Sequence, residues 1–336
     1  MKGLAAIPEI AGVDPGAVFE HVAEATHPAV FRGLASSWPL VQAARRSSSD
    51  ARSYLLGFYR DTPVTAFVSE AGGGGRIFYT EDLQETNFTQ IKTRMDQVLA
   101  QLAELEDVPD PKTVYMGSAA VDGCLPGLRA ENEIPGLPRT TTVRIWIGNR
   151  TTVAAHYDVL DNVACVCAGR REFTLFPPDQ LENLYVGPID FTPAGQQVSL
   201  VDFDNPDFER FPRFRAALGH AQSTVLEPGD AIFIPSMWWH HVAALESFNI
   251  LVNHWWREAR SYMGPPADVL LHALLNLRDL PEGQREAWRG LFDYYVFGPR
   301  DRATAHIPER RRGALGDLDD ETARRIRTLL RNNLNR

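Results

Sequence analysis

The sequence has few of the features that mark secreted and membrane proteins. Its 336 residues include only three cysteines, Cys124, Cys165 and Cys167. With an odd number and no C-x-x-C spacing, they do not indicate a disulfide framework. No apolar run approaches the roughly 20 residues that span a bilayer, and the first nine residues lack the long apolar core of a signal peptide. We therefore expect a cytoplasmic protein with no membrane partner.

The sequence also has fewer basic residues, 34 Lys and Arg, than acidic residues, 43 Asp and Glu, which gives a formal net charge of −9 at pH 7. This balance argues against nucleic acid as a partner. The glycine run at 72–75 lacks the Lys-Ser/Thr pair of a phosphate-binding loop. In contrast, 44% of the residues are hydrophobic and 10% are aromatic, which indicates a folded globular chain. Its length is ordinary for a β-barrel with helical additions.

The most informative stretch is His156-Tyr157-Asp158, in a segment with the composition of a strand. Residues two apart on a strand point to the same face, so His156 and Asp158 can hold one ion together. A histidine from the later run at 238–241, Trp-Trp-His-His, would complete two imidazoles and one carboxylate. Such a set, with open coordination positions, is typical of non-haem Fe(II) oxygenases.

Several motifs surround this pair. Asn162 and the run from Cys165 to Pro178, CVCAGRREFTLFPP, follow it. Later, Glu227-Pro228-Gly229-Asp230 predicts a tight turn before the strand at 231–235 and the Trp-Trp-His-His run. Together these motifs resemble the cupin-like JmjC oxygenases, the 2-oxoglutarate-dependent group that includes the asparaginyl hydroxylase called factor inhibiting HIF. The resemblance is densest over residues 151–256.

The resemblance implies a mainly β fold, a double-stranded β-helix of the jelly-roll or cupin type with flanking helices. We expect a mixed α/β extension over residues 1–110 packed on the barrel, and a barrel core with the metal site over 111–258. A helical segment that makes a dimer is expected over 259–336. Helical periodicity at Ala323, Ile326, Leu330 and Leu334 supports that last part.

The family motif assigns the metal ligands, which are also the catalytic residues, to His156, Asp158 and His240. His240 is chosen over His241 because the family ligand directly follows the Trp pair. Consecutive strand residues face opposite sides, so His241 is expected to point away from the metal. The implied cofactors are Fe(II), the co-substrate 2-oxoglutarate and O₂.

The family places a lysine fifteen residues after the first histidine, where it binds the distal carboxylate of 2-oxoglutarate. Here that residue is Arg171. A guanidinium can bind a carboxylate through two hydrogen bonds, but its reach and shape differ from those of lysine. The adjacent Arg170 is expected to face outward.

Further residues match family positions that bind or line the co-substrate pocket. These are Asn162, Asn253 and Tyr115. Trp255, two residues from Asn253, is expected to share its interior face. A threonine of the asparaginyl hydroxylase is replaced here by Val153.

The resemblance implies an oxygenase, in particular a hydroxylase of a protein side chain or a small molecule. Two other interpretations stay open. One is a cupin metalloenzyme that does not use 2-oxoglutarate, such as a zinc or manganese isomerase. The other is a catalytically silent cupin-like binding or regulatory protein, with Arg171 as a sign of lost co-substrate binding. The apolar faces of the C-terminal helices, including Leu270, Leu274 and Phe292, predict a homodimer.

Overall fold

The computed structural model describes residues 3–193 and 195–334. The described part of the chain is built mainly from β-strands, which are, in chain order, β1 (Ala5–Ala6), β2 (Glu9–Ile10), β3 (Ala29–Phe31), β4 (Val64–Ser69), β5 (Arg76–Ile77), β6 (Thr89–Thr93), β7 (Thr113–Ala120), β8 (Thr142–Gly148), β9 (Thr152–Tyr157), β10 (Asp161–Ala168), β11 (Arg171–Phe176), β12 (Gln222–Leu226), β13 (Ala231–Ile234), β14 (Trp239–Ala244) and β15 (Asn249–Trp256).

These strands form two sheets. The larger has the order β2-β3-β13-β10-β15-β8-β7-β4-β6, and the smaller has the order β1-β12-β11-β14-β9-β5. Most neighbours are antiparallel, and strands distant in sequence alternate within each sheet, as in a jelly roll. The predicted mainly β fold is confirmed.

The burial of strand β10 shows that the larger sheet is covered on both faces. Its residues from Asn162 to Ala168 are all buried. Val163, Cys165 and Cys167 belong to one apolar cluster, whereas Ala164 and Val166 belong to another. Because strand side chains alternate between faces, the first cluster packs the helix-covered face and the second fills the space toward the smaller sheet. The two cysteines serve as small core residues.

The α-helices range from four to fifteen residues in length. They are α1 (Val18–Val22), α2 (Pro39–Arg46), α3 (Ser48–Phe58), α4 (Met95–Leu105), α5 (Val121–Cys124), α6 (Phe214–Leu218), α7 (Pro266–Leu277), α8 (Glu282–Phe292), α9 (Arg300–Thr304) and α10 (Asp320–Leu334), with short 3₁₀ turns between some of them and a π-helical segment, Asp293–Phe297, after α8. Helices α2, α3 and α4 contribute Leu40, Leu55 and Leu99 to the cluster on the outer face of the larger sheet.

The chain forms two compact units, Met1–Arg257 and Glu258–Arg336. The first contains both sheets, and the second contains α7 to α10. Strands β2, β3, β4 and β6, from the first 110 residues, are part of the larger sheet. The three-part division expected from the sequence stays a prediction. Among the residues that the structure describes, no helix is long and apolar enough to cross a membrane.

Candidate metal centre

Two strands of the smaller sheet bring the predicted ligands together. His156 lies on β9 directly opposite His240 on β14, and their ring centroids are 4.3 Å apart. Asp158 follows β9, with its Oδ2 atom 3.7 Å from Nε2 of His240. One ligand atom from each residue lies within 4.8 Å of the other two. The pairing of β9 with β14 thus brings the three ligand atoms around one potential ion position.

Hydrogen bonds to the backbone set which ring nitrogen faces that position. Nδ1 of His156 lies 2.9 Å from the carbonyl oxygen of Ala154, and Nδ1 of His240 lies 3.1 Å from that of Trp238. A carbonyl oxygen only accepts, so each Nδ1 carries the proton and donates it. Each Nε2 therefore keeps a lone pair for a metal.

Burial also favours the ligand form of His240. Its side chain is almost fully enclosed, and burial, reinforced by the nearby His156, lowers its pKa to about 4 although Asp158 acts in the opposite direction. The ring is therefore neutral at pH 7, as a metal ligand must be. Two imidazoles and one carboxylate suit Fe(II) with open coordination positions.

The loop before β14 is tied to the segment that carries Asp158. The backbone N–H of Met237 donates to the carbonyl oxygen of Asp158 at 2.7 Å. The backbone N–H of Ser236 donates to Oδ1 of Asp161 at 2.9 Å. Met237 has a φ of 68°, a left-handed conformation that is uncommon outside glycine. These bonds fix the approach of the chain to His240.

The three candidate ligands line a cavity of about 640 Å³ between the two sheets. This volume is in the usual range for small-molecule sites. The same cavity is lined by every other residue that the sequence assigned to the co-substrate pocket, namely Tyr115, Asn162, Arg171, Asn253 and Trp255. Val153 also lines it.

Arg171 is the unusual member of this group. It is only 1% exposed, and its Nε and Nη2 atoms have no hydrogen-bond partner within the described residues. Tyr115 is its close neighbour, and burial lowers the pKa of the guanidinium, although arginine stays protonated in proteins. A buried cation with two unused donors fits an anionic ligand group such as a carboxylate.

Arg170 behaves as the alternation of a strand predicts. It points away from the cavity and pairs with Glu246 at 2.6 Å on the surface. His241 likewise points away from the metal position, with its ring stacked on Phe203 at 4.7 Å between centroids. Burial first, and then the neighbouring Arg76, lower the pKa of His241 to about 3.

Unused polar atoms continue along the cavity wall. Nδ2 of Asn253 donates to Oδ1 of Asn162 at 3.0 Å, while Oδ1 of Asn253 is buried and has no partner among the residues that the structure describes. In the same described part of the chain, the Nε1 atoms of Trp146 and Trp255 are also buried and unpaired. Buried polar groups are normally satisfied, so these atoms mark positions where a ligand or water would bind.

Sequence reasoning missed several residues of this wall. Trp146 stacks on Tyr115 at 5.9 Å and packs edge-on against Trp255 at 6.1 Å. It lies on β8 between Ile145 and Ile147, which belong to the cluster on the helix-covered face, so strand alternation places Trp146 on the cavity side. Further residues that were missed are Phe67, Phe88, Gln90, Ser118 and Phe191.

A sandwich with a metal-ligand cluster between its sheets has the architecture of a cupin. The model of the cupin-like domain family matches residues 15–262, and the chain belongs to this family. The predicted relationship to JmjC-type cupins is confirmed by this match and by the relatives described next.

The relatives carry different functional names. The chain is 28% identical over 265 residues to lysine-specific demethylase JMJ31 of Arabidopsis thaliana, covering 71% of this chain and 48% of that protein. It is 28% identical over 240 residues to lysine-specific demethylase 8 of Xenopus tropicalis, covering 70% and 49%. It is 32% identical over 146 residues to tRNA wybutosine-synthesizing protein 5 of Gallus gallus, covering 39% and 43%. The matches thus span about half the length of each relative.

Proposed function

We propose that this protein is an Fe(II)- and 2-oxoglutarate-dependent oxygenase that hydroxylates a protein side chain or a small molecule. The observation that carries the proposal is Arg171, a buried cation in the same cavity as His156, Asp158 and His240. Two of its nitrogen atoms have no hydrogen-bond partner in residues 3–193 and 195–334. The three candidate ligands suit a metal ion, and the arginine suits the carboxylate of 2-oxoglutarate, so the cavity offers a binding group for each of the two cofactors that this reaction needs.

Each part of the site has a role under this proposal. The Nε2 atoms of His156 and His240 and the carboxylate of Asp158 would hold the metal. Arg171, beside Tyr115, would bind the distal carboxylate of 2-oxoglutarate, and the free Oδ1 of Asn253 would orient a bound water or ligand donor. Bound there, iron and 2-oxoglutarate supply the oxidising power that converts O₂, 2-oxoglutarate and a C–H bond to succinate, CO₂ and an alcohol.

Aromatic side chains line the cavity beside the proposed metal position. The rings of Tyr115, Trp146 and Trp255 form a continuous aromatic wall in the cavity. Such a wall limits water and lowers the local dielectric, which strengthens the attraction between Arg171 and a carboxylate. Val153 cannot form the hydrogen bond that a threonine would supply, so co-substrate orientation would depend more on Arg171 and Asn253.

Two observations favour this function over the alternatives. The carboxylate of Asp158 beside two histidines, in place of a third or fourth histidine, favours an Fe(II) oxygenase over a zinc or manganese isomerase. A silent binding protein would not need three convergent ligand atoms. The names of the relatives refer to lysine demethylation and tRNA wybutosine synthesis. Neither substrate is assigned to this chain, and the net charge of −9 favours a protein or small molecule over nucleic acid.

The proposed location is the cytoplasm. Cys124, Cys165 and Cys167 are all buried and free of disulfides. Burial raises the pKa of the Cys165 and Cys167 thiols, which keeps them in the unreactive protonated form. Unpaired core thiols are compatible with a reducing compartment.

The test is succinate release from 2-oxoglutarate by the protein with Fe(II) and ascorbate, without a prime substrate. Arg171→Ala should weaken 2-oxoglutarate binding at least 30-fold, because losing one partner of a buried charge pair costs about 2–5 kcal/mol. Arg170→Ala is the matched control and should bind as the unmodified protein does.

Calorimetric titration with 2-oxoglutarate in the presence of Co(II) separates binding from turnover. Equal weakening by Arg171→Ala and Arg170→Ala would disprove the role of Arg171. Absence of both 2-oxoglutarate binding and succinate release would disprove the oxygenase and leave the two alternatives, a cupin metalloenzyme that does not use 2-oxoglutarate and a silent binding protein.

A further inference from the structure

The free edge of the larger sheet lies beside the metal cavity. Strand β6 ends this sheet and pairs with β4 along one side, from Val64 opposite Thr93 to Val68 opposite Thr89. The strands at the other sheet ends, β1, β2 and β5, span two residues each, whereas β6 spans five. Within the sheets described here, β6 is therefore the edge long enough to pair with another chain.

The backbone of this edge is accessible. Residues Thr89 to Lys92 are exposed, and Thr93 is half-buried. In an antiparallel ladder, every second residue directs its N–H and C=O away from the partner strand. No backbone group in residues 3–193 or 195–334 pairs with the outer side of β6. A row of unused donors and acceptors thus faces outward.

The two faces of β6 border different recesses. On one face Gln90 lines the metal cavity, together with Phe67 of β4. On the other face Thr89 and Ile91 line a groove of about 470 Å³, which Val68 and Gln101 also line. Thr86 and Phe88 border both recesses. The segment 86–91 is the ridge between the cavity and the groove.

An extended polypeptide has the chemistry that this ridge would recognise. Its backbone can bond to the outward groups of β6, and its side chains alternate between the two faces with a period of two residues. One set of side chains would enter the metal cavity while the other set entered the groove. A compact small molecule could fill the cavity but would leave the edge unused.

The edge also lacks strong protection against pairing. Natural sheets commonly shield free edges with projecting charges, prolines or bulges. The single charged residue of β6 is Lys92, and its Nζ is bound back to Oγ1 of Thr65 at 2.7 Å. Ile91, in contrast, is 40% exposed. An edge without projecting charges, prolines or bulges next to a cavity is consistent with a docking role.

We propose that β6 is the docking edge for a protein substrate, which adds to the larger sheet as an extended strand and inserts one side chain into the metal cavity. The chemistry performed on that side chain rests on the proposed oxygenase function. The docking itself does not depend on turnover, so the two can fail separately.

The experiment uses single prolines at adjacent positions, Gln90→Pro and Ile91→Pro. One of these N–H groups bonds to β4, and the other faces outward, because the ladder alternates. Proline at the inward position should lower the unfolding midpoint, whereas proline at the outward position should leave it close to that of the unmodified protein. The stability measurement therefore identifies which variant blocks only the free edge.

The probe is a set of decapeptides selected from a random library on the full chain loaded with Co(II) and N-oxalylglycine. The fold-preserving proline variant should bind them at least tenfold more weakly, a change of about 1.4 kcal/mol, since it loses a donor and its ring blocks the incoming strand. The tenfold loss is measured against alanine at the same position, which removes the same side chain but keeps the backbone N–H. N-methylation of the peptides should weaken binding at alternate positions only.

Three results would overturn the proposal. The first is unchanged peptide binding in the fold-preserving proline variant, and the second is failure of the library to yield any binding peptide. The third is a change in self-association, with peptide binding intact, which would assign the edge to a second copy of the chain. Succinate release and 2-oxoglutarate binding are measured in parallel, so that peptide docking without either of them would refute the oxygenase and leave the docking edge standing.

Discussion

At the scale of single residues, Arg171 lowers the stability of the ligand-free fold but supplies the cavity with a cation that can bind a carboxylate. Its Nε and Nη2 atoms are buried without partners in the described part of the chain, and an unsatisfied buried group typically costs about 1–3 kcal/mol. Arg171→Met should therefore raise the free energy of unfolding of the ligand-free protein by about 1–3 kcal/mol. Urea denaturation measures this change.

The same measurement on Arg170→Met supplies the control. Arg170 is an exposed partner of Glu246, so its replacement should lower stability by less than about 1 kcal/mol. In addition, 2-oxoglutarate should raise the unfolding midpoint of the unmodified protein but not that of Arg171→Met. A loss of stability in ligand-free Arg171→Met would show that the guanidinium is structural.

Asp158 allows a direct test of the metal site. Asp158→Ala removes the carboxylate from the cluster with His156 and His240, so stoichiometric Fe(II) should no longer be retained after desalting, while the circular dichroism spectrum stays unchanged. His220→Ala, at an exposed histidine, should retain the metal. The ligand assignment is wrong if a protein lacking both His156 and His240 keeps one iron per chain.

Much of this site could be predicted from local spacing, and the remainder could not. The two-residue spacing of His156 and Asp158 and the alternation of Arg170 and Arg171 follow from strand geometry alone. Ser118 needed more than spacing. A register shift between Met116 and Ala119, where β7 pairs with β8, places both Gly117 and Ser118 on the cavity wall. Such a bulge depends on long-range pairing, which no short motif reveals.

At the scale of structural elements, the loop between β13 and β14 positions His240. Oδ1 of Asp161 accepts a hydrogen bond from the backbone N–H of Ser236 in this loop. Asp161→Ala would leave that N–H unpaired and loosen the loop. We expect metal affinity to fall about tenfold, at the lower end of effects seen for outer partners of metal ligands.

Metal titration monitored by Co(II) absorption tests this expectation. Asp161→Asn is the conservative control, because an amide oxygen can still accept from Ser236, and its metal affinity should stay within about twofold of the original. If Asp161→Ala binds Co(II) as tightly as Asp161→Asn does, the loop does not need this bond to position His240.

The central strands were easier to predict than the edge strand. Strands such as β10 and β15 are long and rich in buried apolar residues, a strong signal in sequence. Strand β6 reads Thr-Gln-Ile-Lys-Thr and is almost entirely exposed. Its pairing with β4 gives it strand structure that its polar sequence does not specify, which is why the position of this edge emerges only from the fold.

At the scale of the whole molecule, the C-terminal unit carries exposed apolar surface. Helices α7 and α8 contain no buried residue. Leu270, Leu274, Leu277, Trp288 and Phe292 line an apolar groove of about 300 Å³ within this unit. Leu275 is 75% exposed and Phe297 is 76% exposed. Apolar surface of this kind commonly marks an interaction site.

We propose that a second copy of the chain covers this surface in a homodimer, since two-fold pairing is the commonest way for identical chains to close. Leu275→Glu should weaken dimerisation at least a hundredfold, about 3 kcal/mol, because a charge would enter an apolar interface from each protomer. Light scattering at micromolar concentration measures this. Asn276→Glu adds the same charge at the adjacent exposed residue and should remain dimeric. A monomer for the unmodified protein would refute the dimer without affecting the metal centre, because the candidate ligands all lie in the first unit.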